Sequence, residues 1–462
     1  MGIILFLLLL TAFSIGLSLV LTGQSLRRYA IEEPTFRILT LLFSTWLVAA
    51  VFWGPNFLVY RPAGLPDITI DRIAFAIILI FMVLGLFTGQ IDLTKNTKIE
   101  FYMFVFVIVC LISMTKYGFT SAAPERFPSP WLIFILGYLF PFAAFLFAKN
   151  YLKYESDHLL VLHTIFFIGA YLAIISYFEF FNLRQFVFPR FINDPKLIIH
   201  LERARGPFLN SAVNGIALTF GFVSGIYLVQ RKQGFTKLAY FFLLSLFLPA
   251  IFFTQTRSIY LSFLVALILL LAFYRTSFPK WQVFALPLGL AIIILLAISP
   301  RFLSGERRAG GVMQIAEARI RLQLIERSLD LFMKHPFFGV GLAQFLPVSS
   351  EEYRGRGTIA KAATDEQVQH NHLAGMLVEI GLIGLVIYVI IHISILKRLY
   401  TMSKMIPKTG IMDPNFLLVI FIFWCVYMVN NQFIEPGYFV FLNSVPLVFA
   451  GIADGIYSQS IA

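Results

Sequence analysis

The sequence predicts an all-α, polytopic integral membrane protein of about 12–13 transmembrane helices, with a large outer loop that contains an amphipathic helix. Three observations predict it. Only 13% of the 462 residues are charged, about half the ~25% typical of a soluble domain. Mean hydropathy is +0.83, and 59% of residues are hydrophobic. Apolar runs of near-spanning length recur from one end of the chain to the other. Helices that cross one bilayer share one core, so residues 1–462 read as a single membrane domain instead of the several globular domains this length otherwise suggests.

The thirteen runs lie at 2–22, 36–53, 72–89, 99–115, 131–148, 158–181, 210–229, 237–253, 258–274, 281–298, 372–396, 415–433 and 437–456. The first has no preceding charge and ends in Thr22-Gly23-Gln24, not in a small-x-small cleavage site, so it reads as a retained span. Loops alternate in character. One set is short and basic: Arg27 and Arg28; Lys95 and Lys98; Lys149 and Lys153; Arg231, Lys232 and Lys237; Arg275 and Lys280; Lys397, Arg398, Lys404 and Lys408. The positive-inside rule places these in the cytoplasm. The other set, at 53–71, 116–130, 182–210, 254–257, 299–371 and 430–437, is longer on average, richer in proline and expected to face outward. This puts the N-terminus outside and the C-terminus inside. The same rule accounts for the net charge of +12 before any nucleic acid is invoked, and none is expected as a partner. Cys110 and Cys425 both sit inside apolar runs, so neither a disulfide framework nor a cysteine metal site is expected.

Two outer segments exceed what a connection needs. Residues 182–210 carry Arg184, Arg190, Lys196, Arg203 and Arg205. Residues 299–371 form a large extracytoplasmic loop in which Ile315, Ala318, Leu322, Ile325, Leu329 and Phe332 recur three and four apart. That spacing predicts a helix lying across the outer mouth of the bundle, its one apolar stripe turned towards protein or lipid, and stopped by Pro336, Gly339 and Gly341.

Arginine on the outward side is what the positive-inside rule leaves unexplained, and an anionic ligand would explain it. Arg257 follows Gln255-Thr256 in a very short loop, Arg205 precedes Gly206-Pro207 just before a span, and Arg321 lies on the surface helix. The planar fork of arginine takes phosphate oxygens in pairs, which suits a diphosphate. Snorkelling to headgroups, or pairing with a loop carboxylate, is the alternative for each. His370 begins His-Asn-His-Leu where the long loop re-enters the membrane; its imidazole suits a general base acting on a sugar hydroxyl, and capping of the next helix is the alternative. His372 competes for the role, but residues two apart do not share a helical face, which disfavours a two-histidine metal clamp. Asp67 and Asp71 resemble the acidic residues that hold a divalent cation in many lipid-linked sugar transferases. Glu379 lies inside a span, where a carboxylate is a functional candidate or a partner of a neighbouring helix. Glu179 and Glu435 lie near span ends.

Four stretches in order along the chain carry a resemblance. His370-Asn371, nine residues, Gly381, two residues and Gly384 reproduce the His-Asn-x9-Gly-x-x-Gly pattern of the O-antigen ligase and polymerase family of bacterial envelope glycosyltransferases. Arg205-Gly206-Pro207-Phe208-Leu209-Asn210, Thr256-Arg257-Ser258, and Arg321 ahead of His335-Pro336-Phe337-Phe338-Gly339-Val340-Gly341 resemble the same family, so the likeness covers about residues 200–400. The resemblance implies an inverting, nucleotide- and metal-independent transfer of a glycan from undecaprenyl diphosphate to an acceptor hydroxyl at the outer face of the inner membrane. Carried over by position, His370 activates or orients the acceptor, Arg205, Arg257 and Arg321 hold the donor diphosphate, and Asn371, Gly381 and Gly384 support the motif. No metal ligand and no cofactor are implied. Family members commonly have twelve spans with both termini inside, one fewer than the runs counted here.

The resulting expectation is an enzyme of O-antigen or exopolysaccharide assembly in the bacterial inner membrane. Its partners are the undecaprenyl-diphosphate-linked donor, membrane lipids, and either a lipid A core (ligase) or another lipid-linked repeat (polymerase) as acceptor. The alternative is a transporter or flippase of lipid-linked sugars. Transporters tend to show internal repeats and a midplane site, whereas this chain concentrates its polar residues in outer loops.

Overall fold

The computed structural model describes residues 34–54, 56–60, 67–91, 98–117, 129–194, 197, 201–274, 315–352, 370–409, 413–435, 437 and 439–461. Helix α1 (Pro34–Phe52) leads into a short antiparallel ribbon, β1 (Leu58–Tyr60) with β2 (Ile68–Thr69). Then come α2 (Ile70–Phe87) and α3 (Lys98–Tyr117). The next span joins α4 (Pro130–Phe134) to α5 (Phe140–Tyr151) through one π-helical turn, Ile135–Leu139. Helices α6 (Glu155–Phe180), α7 (Ser211–Val229), α8 (Gly234–Phe253) and α9 (Arg257–Phe273) follow. The long segment between α9 and the His-Asn motif supplies α10 (Ile315–Lys334) and α11 (Phe345–Glu352). The chain closes with α12 (His372–Glu379), α13 (Gly381–Thr409), α14 (Pro414–Asn430) and α15 (Val440–Ile461).

The fold is all-α, and the protein is a multi-pass membrane protein. Among the described residues eight helices are long and apolar enough to cross a membrane, and three shorter apolar helices, Ile38–Phe52, Arg257–Phe273 and Pro414–Asn430, accompany them. The expected spans at 2–22 and 281–298 lie outside the described residues. Burial sorts the rest. Helix α7 is buried along its whole length and α15 nearly so, while α2 and α13 bury only about a third of theirs. With lipid as apolar as leucine, the hydrophobic effect does not draw such helices together; close packing does. On α15, Gly451 and Gly455 lie one turn apart against the backbone of α5. A Cβ on either would come 2.4 Å from a carbonyl oxygen, of Phe145 or of Lys149.

That close approach brings together a buried cluster of charges. Asp454, fully buried, pairs with Lys149 at 2.8 Å and with Arg398; Lys149 also pairs with Glu100. The guanidinium of Arg398 stacks over Tyr457 at 3.7 Å. Four helices, α3, α5, α13 and α15, are thereby tied by two acids and two bases. Arg231 is similarly engaged, by Glu155 and by Asp413 at 2.7 Å. Lys149, Arg231 and Arg398, grouped above with the short basic loops, are therefore ion-paired, and only the tertiary structure reveals it.

One expectation needs correction. The run 372–396 is not one helix: it breaks at Ile380 between α12 and α13. On the apolar stripe of α10, expected to face protein or lipid, the described aliphatic side chains do not pack on protein. Leu324, Arg327, Ser328 and Leu331 are buried, and the two leucines join Val340, Phe345, Leu346 and Val378 in a small separate core. Leu322, Ile325 and Leu329 are exposed, with Phe332 half-buried between the faces. Ile315 and Ala318 belong to the helix, but their side chains lie outside the described residues.

Replacing Asp454 by Ala leaves Lys149 and Arg398 buried against each other without their shared counter-ion. The expected cost is about 3–5 kcal/mol, read as a lower unfolding midpoint of the membrane-embedded protein. Glu155→Gln, which breaks a half-exposed pair, is expected to change the midpoint by less than about 1 kcal/mol equivalent. Equal midpoints for Asp454→Ala and the parent would deny the cluster its structural role.

Candidate functional site

Asn371 begins the site. Its backbone is extended and its side-chain oxygen accepts the N–H of Ala374 at 2.9 Å, which makes it the N-cap of α12. Its amide nitrogen donates to the carbonyl of Gln432 at 3.4 Å, and the N–H of His372 donates to the carbonyl of Asn431 at 2.8 Å. Asn371 and His372 are thus seated on the turn that follows α14. His370 is half-buried, with a φ of 53° in the left-handed region that non-glycine residues rarely enter. The helix is capped by Asn371, so capping does not account for His370.

Helix α12 ends after eight residues, and Gly381 turns the chain with a φ of 71°. The nine residues between Asn371 and Gly381 are therefore one short helix plus Ile380. Against this break lies the stretch Pro336–Gly341. Val340 and Gly341 donate backbone N–H to the carbonyls of Val378 (2.8 Å) and Glu379 (2.9 Å), while Leu382 donates to Pro336 (2.8 Å) and Ile383 to Phe337 (3.4 Å). No side chain fits in the contact. A Cβ at Gly381 would come 2.2 Å from the Phe337 oxygen, and one at Gly339 would come 2.4 Å from Glu379 backbone. Gly384 lies against Ile380. Ser113 of α3 donates to the Glu379 carbonyl at 2.8 Å, and the Glu379 carboxylate accepts the N–H of Phe345 at 3.3 Å, at the first turn of α11. Glu379 thus serves neighbouring backbone, the second of the two roles open to it from sequence.

The structure gives Arg205 an immediate duty within the protein. Its guanidinium is fully buried and donates to the carbonyls of Ile192 (2.5 Å) and Leu197, which closes the outer loop 182–210 around it. Glu179, at the end of α6, accepts the N–H of Gly206 at 3.0 Å and so fixes the turn. Burial lowers the Arg205 guanidinium from its ordinary pKa, opposed by the nearby Glu179. Arg257 occupies the first position of α9 and is exposed. Its turn is joined to the Arg205 stretch: Ala204 donates to the Phe253 carbonyl at 3.1 Å, and the Ser211 and Thr256 hydroxyls are 3.0 Å apart. The side chain of Arg321 lies outside the described residues, although its position on α10 does not.

These stretches converge. Phe208 packs on Phe439 and Phe441 at the start of α15, with ring centroids 6.5 and 6.2 Å apart; shortly before them in sequence, Asn431 and Gln432 hold Asn371 and His372, and Glu435 and Gly437 border a cleft. The cleft measures about 540 Å³ including its open mouth, and Tyr138, Phe345, His372, Glu379 and Glu435 are among its lining residues. Tyr138 is a lining residue that sequence reasoning did not single out, because it sits unremarked in an apolar run. Its only signal was a phenol within that run.

Asp67 and Asp71 serve the first outer connection. The Asp67 carbonyl accepts from Arg72, and buried Asp71, at the start of α2, accepts from the Thr69 hydroxyl. Among the described residues no group of three or more His, Cys, Asp or Glu is arranged to hold a metal ion.

Residues 240–389 match the family described as O-antigen ligase. No curated protein matches the chain. The match runs from α8 to α13 and takes in Arg257, Arg321, the Pro336–Gly341 stretch, His370 and both glycines, Gly381 and Gly384; the Arg205 stretch precedes it. Over residues 240–389, therefore, the chain is similar to the O-antigen ligase family.

Proposed function

We propose that the protein is an inverting glycosyltransferase that moves a glycan from undecaprenyl diphosphate to an acceptor hydroxyl. The acceptor is a lipid A core if the enzyme is a ligase and another lipid-linked repeat if it is a polymerase. The work is done at the extracytoplasmic face of the bacterial inner membrane, in O-antigen or exopolysaccharide assembly. One observation supports the reading: the Arg205 and Arg257 stretches contact each other, the Arg205 stretch packs through Phe208 on Phe439 and Phe441, the His370-Asn371-His372 stretch is bonded to Asn431 and Gln432 a few residues before them, and Pro336–Gly341 pairs with the other end of the same short helix.

The chemistry follows from the residue types. His370 takes the proton of the acceptor hydroxyl as its oxygen attacks the anomeric carbon. The bond from that carbon to the diphosphate breaks on the opposite face, so configuration inverts, and undecaprenyl diphosphate departs. Arg257 and Arg321 carry the charge gathering on the leaving group, a task that hydrogen-bonding cations perform without a metal ion. Arg205 adds its charge from within the loop that it shapes.

A transporter or flippase remains the second reading, because a broken helix is what such proteins use to bind substrate. In them the exposed ends of the half-helices point at the ligand. Here backbone from Pro336–Gly341 takes up carbonyls and N–H groups on both sides of the break, which favours the transferase.

Substituting Ala for His370 is expected to lower transfer by 10²–10⁴-fold in purified protein with a lipid-linked donor, while donor binding persists. More than half the parent activity would remove His370 from the proton step. Arg257→Lys keeps the charge but loses the paired fork and is expected to impair transfer, Arg257→Ala more so; full activity in both would separate Arg257 from the diphosphate. Transfer should proceed equally with EDTA and with added magnesium. Activity that vanishes in EDTA and returns with metal would overturn the arginine-centred mechanism and turn attention to Asp67 and Asp71.

A further inference from the structure

Helix α10 is apolar on two opposite faces. One is buried: Leu324 and Leu331 pack in the small core with Val378 of α12. The other is bare. Leu322, Ile325, Leu329 and Met333 recur three and four apart and are all exposed, Met333 to 75%. The bare surface continues past the helix into Phe337, 63% exposed, and Phe338. Large apolar side chains left together in this way mark a contact with protein or membrane. Charged residues border them: Glu326 and Asp330 lie exposed along one edge, and Lys334 pairs with Asp330 at 3.1 Å.

Backbone contacts tie the end of this patch to two spanning helices. At the first turn of α13, Leu382 donates to the Pro336 carbonyl at 2.8 Å and Ile383 to that of Phe337 at 3.4 Å. The Ser113 hydroxyl of α3 donates to the Phe338 carbonyl at 3.3 Å. Both α3 and α13 are long and apolar enough to cross a membrane. From that first turn α13 exposes Leu382, Val386, Val389 and Ile393, again three and four apart, and α3 exposes Ile108 and Ile112 just before Ser113. On a spanning helix such a face is the one that meets hydrocarbon. At Phe337 and Leu382 the bare patch therefore runs into a surface that lipid already covers.

We infer that α10 is an interfacial helix, its exposed stripe together with Phe337 and Phe338 resting in bilayer lipid of the leaflet where α13 begins. Lipid fits this face better than a second copy of the chain does. Helices that associate within membranes bring small residues to the contact so that their backbones approach closely, whereas the described part of this stripe holds only large side chains. An interfacial helix buries its apolar face roughly 5–10 Å into the headgroup and acyl boundary and keeps its charged edge in water, which is where Glu326, Asp330 and Lys334 then lie. Helix α10 is thus held between two apolar layers, lipid on one side and the core shared with α11 and α12 on the other. The bilayer surface thereby takes part in placing the short helix that begins at His372. This seat is independent of whether the protein transfers glycan.

Spin labelling of the full chain in liposomes of phosphatidylethanolamine and phosphatidylglycerol tests the seat. In a background of Cys110→Ala and Cys425→Ala, nitroxides are placed through Leu322→Cys, Ile325→Cys, Leu329→Cys and Met333→Cys on the stripe, and through Glu326→Cys and Asp330→Cys on its edge. Oxygen concentrates in the bilayer, whereas a neutral nickel chelate stays in water. The ratio of oxygen to nickel accessibility is expected to be about threefold or more higher on the stripe than on the edge, as for an apolar face buried in lipid. Nickel access on the stripe equal to that on the edge would place the stripe in water and overturn the seat. Low access to both reagents on the stripe would mean cover by protein, a second copy included, and would overturn it equally. The parent chain, with its cysteines intact, supplies a second measurement. A phosphatidylcholine carrying a diazirine in its acyl chain is expected to label residues 322–338 as well as α13 on illumination. Labelling of α13 without any in 322–338 would also overturn the seat.

Discussion

A helix that stops inside a membrane protein leaves backbone N–H and carbonyl groups that lipid cannot satisfy, each at a cost of several kcal/mol. The break between α12 and α13 meets this constraint with another piece of backbone. Pro336–Gly341 pairs with residues on both sides of Ile380, and Ser113 of α3 adds a donor to the Glu379 carbonyl. The pairing is possible only at backbone distance, which is why Gly339 and Gly381 stand where a Cβ would collide. Both also hold a positive φ that costs glycine little.

Much of the site depends on that pairing. It anchors helices α10 and α11 to the bundle, through the small core of Leu324, Leu331, Val340, Phe345, Leu346 and Val378. It sets where α12 ends, while the turn after α14 and the Asn371 cap set where it begins. A helix of eight residues spans only about 12 Å at ~1.5 Å per residue, so fixing both ends leaves His370 and His372 little freedom. His372 then stacks on Tyr138, and His370 stands two residues before it, ahead of the Asn371 cap.

Charge is handled differently in different parts of the molecule. Lys149, Arg398, Glu100 and Asp454 neutralise one another within the bundle, and Arg231 is held by Glu155 and Asp413. Near the site the arginines sit on turns instead, Arg205 inside one and Arg257 at the start of a helix. The first arrangement ties helices together. The second holds cations at the turns that precede α7 and α9.

Spanning segments are legible in sequence because the bilayer reads hydropathy locally, residue by residue along about 20 positions. That is why the run-by-run reading matches the described helices and why the break at Ile380 escaped it: Gly381 and Gly384 scarcely interrupt an apolar run. The motif residues were legible as well, since their spacing is a property of the chain. What tertiary structure alone decided depends on contacts between distant residues. The apolar stripe of α10 was identified from spacing, yet the buried face is the one with Leu324 and Leu331, because α11, α12 and the Pro336–Gly341 stretch pack there. Arg205 and Arg257 look alike in sequence; one closes a loop and the other is exposed, because only Arg205 meets the carbonyls of Ile192 and Leu197. Tyr138 carried no more signal than any phenol in an apolar run until the π-turn aimed it at His372. Periodicity and spacing are written along one dimension, whereas a cleft is made where helices far apart in sequence present side chains to the same space.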